Sequence, residues 1–167
     1  VFHLAANPDI RLGTEVTDTD LKQGTIATYN VLEAMRLAGT KKIAFASSSV
    51  VYGEASVMPT PEDYGPLFPI SLYGASKLAC EGLISAWVGT FSLQAWIFRF
   101  ANVVGERGTH GVIFDFIHKL KNDPTRLEVL GDGNQAKSYI EVRDSAQPMY
   151  HLVCTTDAAV HYYNLGS

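Results

Sequence analysis

The sequence predicts an α/β fold, a doubly wound and mostly parallel sheet. Three observations lead there. Apolar runs of strand length, at 1–5, 42–47 and 93–100, alternate with longer segments that carry helix signals. The order β-α-β-α-β implies parallel strands joined by crossovers. Ile43-Ala44-Phe45-Ala46, entered through Lys41-Lys42, is a near-continuous apolar run, as expected of a parallel strand buried on both faces.

Each element follows in order. The strand at 1–5 leads through Asn7-Pro8 into a polar loop. Thr17-Asp18-Thr19-Asp20 offers N-caps and early acidic charge for a helix running to about Ala38, stopped by Gly39. Its apolar face is expected to use Leu21, Ile26, Val31, Leu32 and Met35. The strand at 42–47 comes next, then a proline-rich connection from Met58 to Pro69. Ser71 is the expected N-cap of a helix over 72–90. After the strand at 93–100, Glu106 to Gly111 reads as a loop, and a helix from Val112 to Asn122 must stop before Pro124. Short strands at 127–130 and 136–142 are expected to flank the Gly131-Asp132-Gly133 turn. A helix at 144–154 and a strand at 162–165 close the chain.

The most telling local pattern is Tyr73-Gly-Ala-Ser-Lys77 with Ser48 upstream at the end of an apolar strand. Residues four apart share one helix face, so Tyr73 and Lys77 can meet. The carboxyl edge of a parallel sheet, where Ser47-Ser48-Ser49 emerges, is where such folds bind ligands. A phenol of pKa ~10 is a poor base at neutral pH. An ammonium ~4 Å away at an effective dielectric of ~20 favours phenolate by roughly 4 kcal/mol before desolvation is subtracted. Tyr73, Lys77 and Ser48 therefore form a candidate proton-handling site.

Composition narrows the function classes. The chain has 167 residues, is 47% hydrophobic and carries a formal net charge of −4, which suits one well-packed domain and argues against a nucleic-acid surface. No apolar stretch reaches the ~18 residues that span a bilayer. Cys80 and Cys154 are isolated, which fits reduced thiols and a cytoplasmic setting. The five histidines are scattered with no metal-ligand spacing.

Ser47-Ser48-Ser49-Val50-Val51-Tyr52-Gly53 followed by Tyr73-Gly-Ala-Ser-Lys77 resembles the extended short-chain dehydrogenase/reductase family, in its NAD-dependent epimerase/dehydratase branch. Phe2-His3-Leu4-Ala5-Ala6, Asn30-Val31-Leu32-Glu33-Ala34, Arg99 to Gly105, Gly131 to Gln135 and Tyr163 to Ser167 fit the same pattern in family order. Within that branch the chain is most similar to nucleotide-sugar epimerases, those acting on UDP-glucose above all.

The resemblance implies a Rossmann-like fold with NAD as cofactor and a UDP-linked sugar as substrate. It implies an isomerase that interconverts UDP-glucose and UDP-galactose through a 4-keto sugar. Tyr73 would be the base, Lys77 would keep it ionised and hold the nicotinamide ribose, and Ser48 would orient the proton. Leu4, Ala5, Ala6, Ser47, Phe100 and Val103 would join Tyr73 and Lys77 in lining the cofactor. Asn102, Val112, Glu128, Leu130 and Lys137 would join Ser48 and Tyr73 in holding the substrate, Asn102 and Lys137 at its diphosphate. Lys137 stands where an Arg is usual and offers charge without a bidentate fork.

The resemblance divides the chain into a partial cofactor-binding domain at 1–105, a substrate-binding region at 106–142 and a return to the first domain at 143–167. No G-x-x-G-x-x-G or G-x-G-x-x-G follows a strand. The expectation is therefore an internal fragment of a protein about twice as long, without its N-terminal glycine-rich βα unit and inactive by itself. A homodimer through the helices near 18–38 and 72–90 is expected at family level.

Two departures from the pattern stand out. Gly24 replaces an Asn four residues before Thr28, at a helix-propensity cost of roughly 1 kcal/mol, and Glu106 replaces a Pro. Ser49 and Val50 stand where dehydratases carry an acid pair, and neither side chain can protonate a leaving hydroxyl. Another member of the branch, whether a different epimerase or a nucleotide-sugar decarboxylase, dehydratase or reductase, or a non-catalytic binding protein on the same fold, remains an alternative.

Overall fold

A computed structural model describes residues 1–166. Ser167, the last residue of the Tyr163–Ser167 motif, lies outside the described residues. The main sheet has four strands, β1 (Phe2–His3), β2 (Lys42–Ser48), β3 (Gln94–Phe100) and β6 (Val160–Leu165), in the order β1-β2-β3-β6. All three pairings are parallel, as the alternation of elements implied.

Side chains alternate across this sheet because strand residues point to opposite faces. Ile43, Phe45, Ala95 and Ile97 pack against Leu32 and Met35 of α2 (Ala27–Leu37) and Cys80 and Ile84 of α3 (Leu72–Phe91). On the opposite face Ala44, Trp96 and Phe98 pack against Met149 of α5 (Val142–Thr155). Both faces are thus covered, which is why β2 and β3 read as continuous apolar runs rather than as alternating ones.

Three elements differ from the sequence expectation. A single turn, α1 (Leu12–Glu15), interrupts the expected polar loop. The helix before Gly39 begins as a wide-turn π segment at Leu21–Ile26 and becomes α-helical at Ala27. An i→i+5 turn holds more residues per turn and rotates the face that follows it. Leu21 and Ile26 are consequently exposed, while Asp20, Gly24, Thr28, Leu32 and Met35 face inward. Gly39 ends the helix as expected, at φ +70°.

The third difference lies beyond Gly105. Residues 127–130 do not form a strand. Leu127, Val129 and Leu130 are all exposed, so nothing is buried that would stabilise one. Only β5 (Tyr139–Glu141) forms, and it pairs in parallel with β4 (Asn102–Val104) instead of closing a hairpin over Gly131-Asp132-Gly133. The helix α4 (Val112–Asn122) matches its expected bounds but buries no residue.

Gly24 has a packing reason. An added Cβ would overlap Ser76 Oγ, which donates to the Asp20 backbone oxygen at 2.7 Å and bonds Thr25 Oγ1 at 2.9 Å. The π segment and α3 therefore meet at backbone distance. Gly24→Ala gains about 1 kcal/mol of helix propensity but overpacks this contact, which typically costs about 1–3 kcal/mol. The expected result is a net loss of about 1 kcal/mol in urea unfolding, relieved when Ser76→Ala is added. Stabilisation by Gly24→Ala alone would refute the contact.

Candidate active site

Ser48 ends β2 and caps the short 3₁₀ turn Ser49–Tyr52, its Oγ accepting from the Val50 amide at 3.4 Å. Ser71 caps α3 as expected, accepting from the Gly74 amide at 3.0 Å. That start places Tyr73 and Lys77 on successive turns of α3. The Lys77 ammonium donates to the Ala46 carbonyl of β2 at 2.6 Å and lies 5.6 Å from the Tyr73 ring centroid. Ser48 stands near enough to the Tyr73 phenol to pull its proton affinity down. Helix and strand edge thus bring Ser48, Tyr73 and Lys77 together.

The electrostatics differ from the sequence expectation. Lys77 is 4% exposed. Burial pulls its ammonium below the ordinary lysine range, while Cys80, Asp20 and Glu81 oppose that shift. Burial pushes the Tyr73 phenol above its ordinary range, Asp20 adds to the rise, and the Ser48 hydrogen bond pulls the other way. The expected acidification by Lys77 alone is therefore not what the protein's own groups produce. The reason is geometric: the ammonium is held by the Ala46 carbonyl, and desolvation is the largest influence on the phenol.

The other sequence-predicted residues divide into two sets. At the carboxyl edge of the sheet, Leu4 is 60% exposed at the end of β1, followed by exposed Ala5 and half-buried Ala6. Phe100 is half-buried at the end of β3, and Val103 of β4 is 42% exposed. Leu4, Ala5, Ala6 and Phe100 leave small and apolar surface at or just past the ends of β1 and β3, while Val103 lies in the separate β4–β5 pair. A flat, partly cationic group such as a nicotinamide ring with its ribose fits such an edge. Ser47 differs from them. It is buried and donates to Glu81 Oε1 at 2.5 Å, so its hydroxyl belongs to an ion-pair network and not to the open edge.

The substrate candidates lie farther along the chain. Asn102 donates its amide to the Ser138 carbonyl at 3.0 Å and so fixes the β4–β5 pair. Val112 begins α4 and is partly exposed. Glu128, through its backbone oxygen, accepts from Lys119 at 2.9 Å. Leu130 is 77% exposed, and Lys137 is exposed. Among the described residues no hydrogen bond or ion pair joins Val112, Glu128, Leu130 or Lys137 to Ser48, Tyr73 or Lys77. A broad depression of about 800 Å³ runs along α5 beside Gln147, Tyr150 and His151, and none of the trio lines it.

Sequence reasoning missed a buried network next to the trio. Arg99 on β3 makes two hydrogen bonds to Glu81 of α3, at 3.1 and 2.8 Å, and both residues are nearly inaccessible. Arg99 also reaches the Tyr52 hydroxyl at 2.9 Å and the Glu62 carbonyl at 3.0 Å. Tyr52 donates to Asn164 at 2.7 Å, and Asn164 donates to the Thr60 carbonyl at 2.8 Å. The network ties the proline-rich connection to the sheet edge that carries Ser48. The signal was readable: a lone Arg inside the apolar run 94–100 must find a buried acid, and Glu81 sits one turn beyond Lys77.

Comparison with known proteins gives consistent findings. The sequence model of the NAD dependent epimerase/dehydratase family matches residues 1–166. The chain is 37% identical over 152 residues to a putative UDP-glucose 4-epimerase of Methanocaldococcus jannaschii, covering 88% of this chain and 49% of that protein. A crystal structure of a UDP-galactose 4-epimerase superposes with TM-score 0.90 at 43% identity, over 100% of this chain and 55% of that one. MoeE5 in complex with UDP-glucose and NAD superposes with TM-score 0.89 at 30% identity, over 100% of this chain and 56% of that one. The chain spans about half the length of these relatives.

Proposed function

This chain belongs to the NAD dependent epimerase/dehydratase family, and from that premise we propose that the protein is a nucleotide-sugar 4-epimerase that interconverts UDP-glucose and UDP-galactose. The observation that carries the reading is the Ser48–Tyr73–Lys77 grouping at the carboxyl edge of a parallel sheet. Three such groups at one strand edge can handle the proton of a secondary alcohol. The relatives named for UDP-glucose and UDP-galactose support the choice of sugar.

The roles follow from the chemistry of each side chain. NAD, when bound, supplies the acceptor and donor of hydride. Tyr73 takes the proton of the sugar 4-hydroxyl and later returns it, so no proton is consumed overall. Ser48, which already lowers the proton affinity of the phenol, holds the same sugar oxygen. Lys77 brings a buried cation to the site, anchored on Ala46. Leu4, Ala5, Ala6, Phe100 and Val103 offer the surface for the cofactor, and Asn102, Val112, Glu128, Leu130 and Lys137 are proposed for the nucleotide side of the substrate. A homodimer through α2 and α3 belongs to the same proposal, supported by Tyr29 and Leu37, exposed apolar residues along the first of these helices, and by Ile26 in the π segment that leads into it. So does a cytoplasmic setting; among the described residues no helix is long and apolar enough to cross a membrane.

The test is conversion of UDP-galactose to UDP-glucose by the full-length protein with NAD present. Turnover without net NAD reduction is the expected result. Accumulation of reduced cofactor with a stoichiometric oxidised sugar would instead assign a dehydrogenase, and no reaction with NAD bound would assign a binding protein.

A further inference from the structure

Lys77 is 4% exposed, and among the described residues no ion pair joins it to a carboxylate. An ammonium taken out of water gives up its proton more readily unless its new surroundings replace the lost hydration. One replacement is the Ala46 carbonyl, which accepts at 2.6 Å. The second comes from the residue before it. Lys77 Nζ lies over the Phe45 ring, 4.8 Å from its centroid, nearer than to the Tyr73 ring at 5.6 Å. The face of an aromatic ring carries partial negative charge. It attracts a cation within about 6 Å of its centroid, most strongly where water is excluded. Phe45 is 1% exposed and packs among Leu32, Met35, Cys80 and Ile84. The His3 ring lies against it at 5.5 Å, tilted by 41°, and is itself anchored on Thr28 Oγ1 at 2.9 Å. The Phe45 ring is therefore held in place beside the ammonium.

We propose that Phe45 is a positioning residue for Lys77: its ring face and the Ala46 carbonyl, consecutive on β2, form the seat that keeps a buried ammonium beside Tyr73. This rests on the role given to Lys77 under Proposed function and deepens it. The seat follows from strand register. β1 pairs with β2 as far as His3 opposite Phe45, and Ala46 lies one residue beyond. An ammonium has three N–H donors, and Ala46 accepts from one of them. A ring face answers the charge without a directed lone pair, which leaves donors for a group bound at the strand edge. The titratable groups around the ammonium are Tyr73, Cys80 and Glu81 on α3, Asp20 before the π segment and His3 on β1. None of them changes when only the ring at position 45 is altered.

The test varies the charge of the ring face and keeps its shape. Phenylalanine carrying one, two or three ring fluorines is placed at position 45 of the full-length protein, each fluorine weakening the negative face. The side-chain nitrogen resonance of Lys77, identified by its loss in Lys77→Met, is titrated in each protein, and thermal unfolding checks that the fold is kept. The Lys77 midpoint is expected to fall with every fluorine, on the order of one pH unit across the series. A midpoint that stays constant or rises overturns the proposal, because a ring that only fills space would leave it unmoved. If the three-fluorine protein does not fold, the one- and two-fluorine proteins are compared with the unaltered chain, and the same two outcomes decide. Protonation is read without turnover, so this proposal can fail while the proposed reaction stands, and the reverse.

Discussion

Tyr73→Phe is expected to lower epimerase turnover by about a thousandfold in the full-length protein. The change removes one oxygen. It leaves the ring that packs beside the Lys77 ammonium at 5.6 Å and leaves α3 capped by Ser71. Stability should hardly move, because a half-buried phenol near the Ser48 hydroxyl contributes at most about 1 kcal/mol. A positioned general acid-base group typically supplies roughly 10²- to 10⁴-fold, and at this edge Tyr73 is the side chain that Ser48 and Lys77 both address. NAD binding should survive, since the ring and Lys77 remain. The measurement is initial-rate conversion of UDP-galactose alongside cofactor affinity and thermal midpoint. Turnover within about tenfold of wild type, with the fold intact, would remove Tyr73 from the role of base and with it the proposed chemistry.

Arg99→Leu is expected to cost about 3–5 kcal/mol of folding stability, the usual penalty for leaving a buried partner charge uncompensated. Glu81 is 3% exposed and would keep only the Ser47 hydroxyl. The Tyr52 hydroxyl and Glu62 carbonyl would lose their guanidinium donor as well. Domains are stable by only about 5–15 kcal/mol, so this loss is a large fraction of the whole. Adding Glu81→Gln should return part of it, because the second change removes the stranded charge rather than a second interaction. Urea unfolding with an unchanged slope is the appropriate measurement. A loss below about 1 kcal/mol would show that water or a shifted side chain compensates Glu81, and the network would then not be the clamp on the proline-rich connection that its geometry describes.

The two variants separate what was readable in the chain from what was not. The helix bearing Tyr73 and Lys77, its Ser71 cap and its sheet neighbour followed from spacing, capping chemistry and apolar runs, all local properties. Residues 127–130 did not follow. Their alternation resembled a strand, but a strand forms only where one face is buried, and there Leu130 meets solvent. The apolar face assigned to Leu21 and Ile26 was displaced for a related reason. Gly24 lets the chain press on Ser76, the turn widens, and the inward face becomes Asp20, Gly24 and Thr28.

The sequence by itself determined the parallel α/β architecture and the residues at the sheet edge, because apolar periodicity and the Tyr73–Lys77 spacing are encoded residue by residue, and the family followed from the resemblance of the Ser47–Gly53 and Tyr73–Lys77 motifs. Only the tertiary structure decided in which direction burial moves the proton affinities of Tyr73 and Lys77. Desolvation and the placement of Asp20 depend on elements more than fifty residues apart in the chain being packed together. That packing places an ammonium on the Ala46 carbonyl and an unpaired carboxylate oxygen beside the helix start. The spacing of Tyr73 and Lys77 carries no record of either.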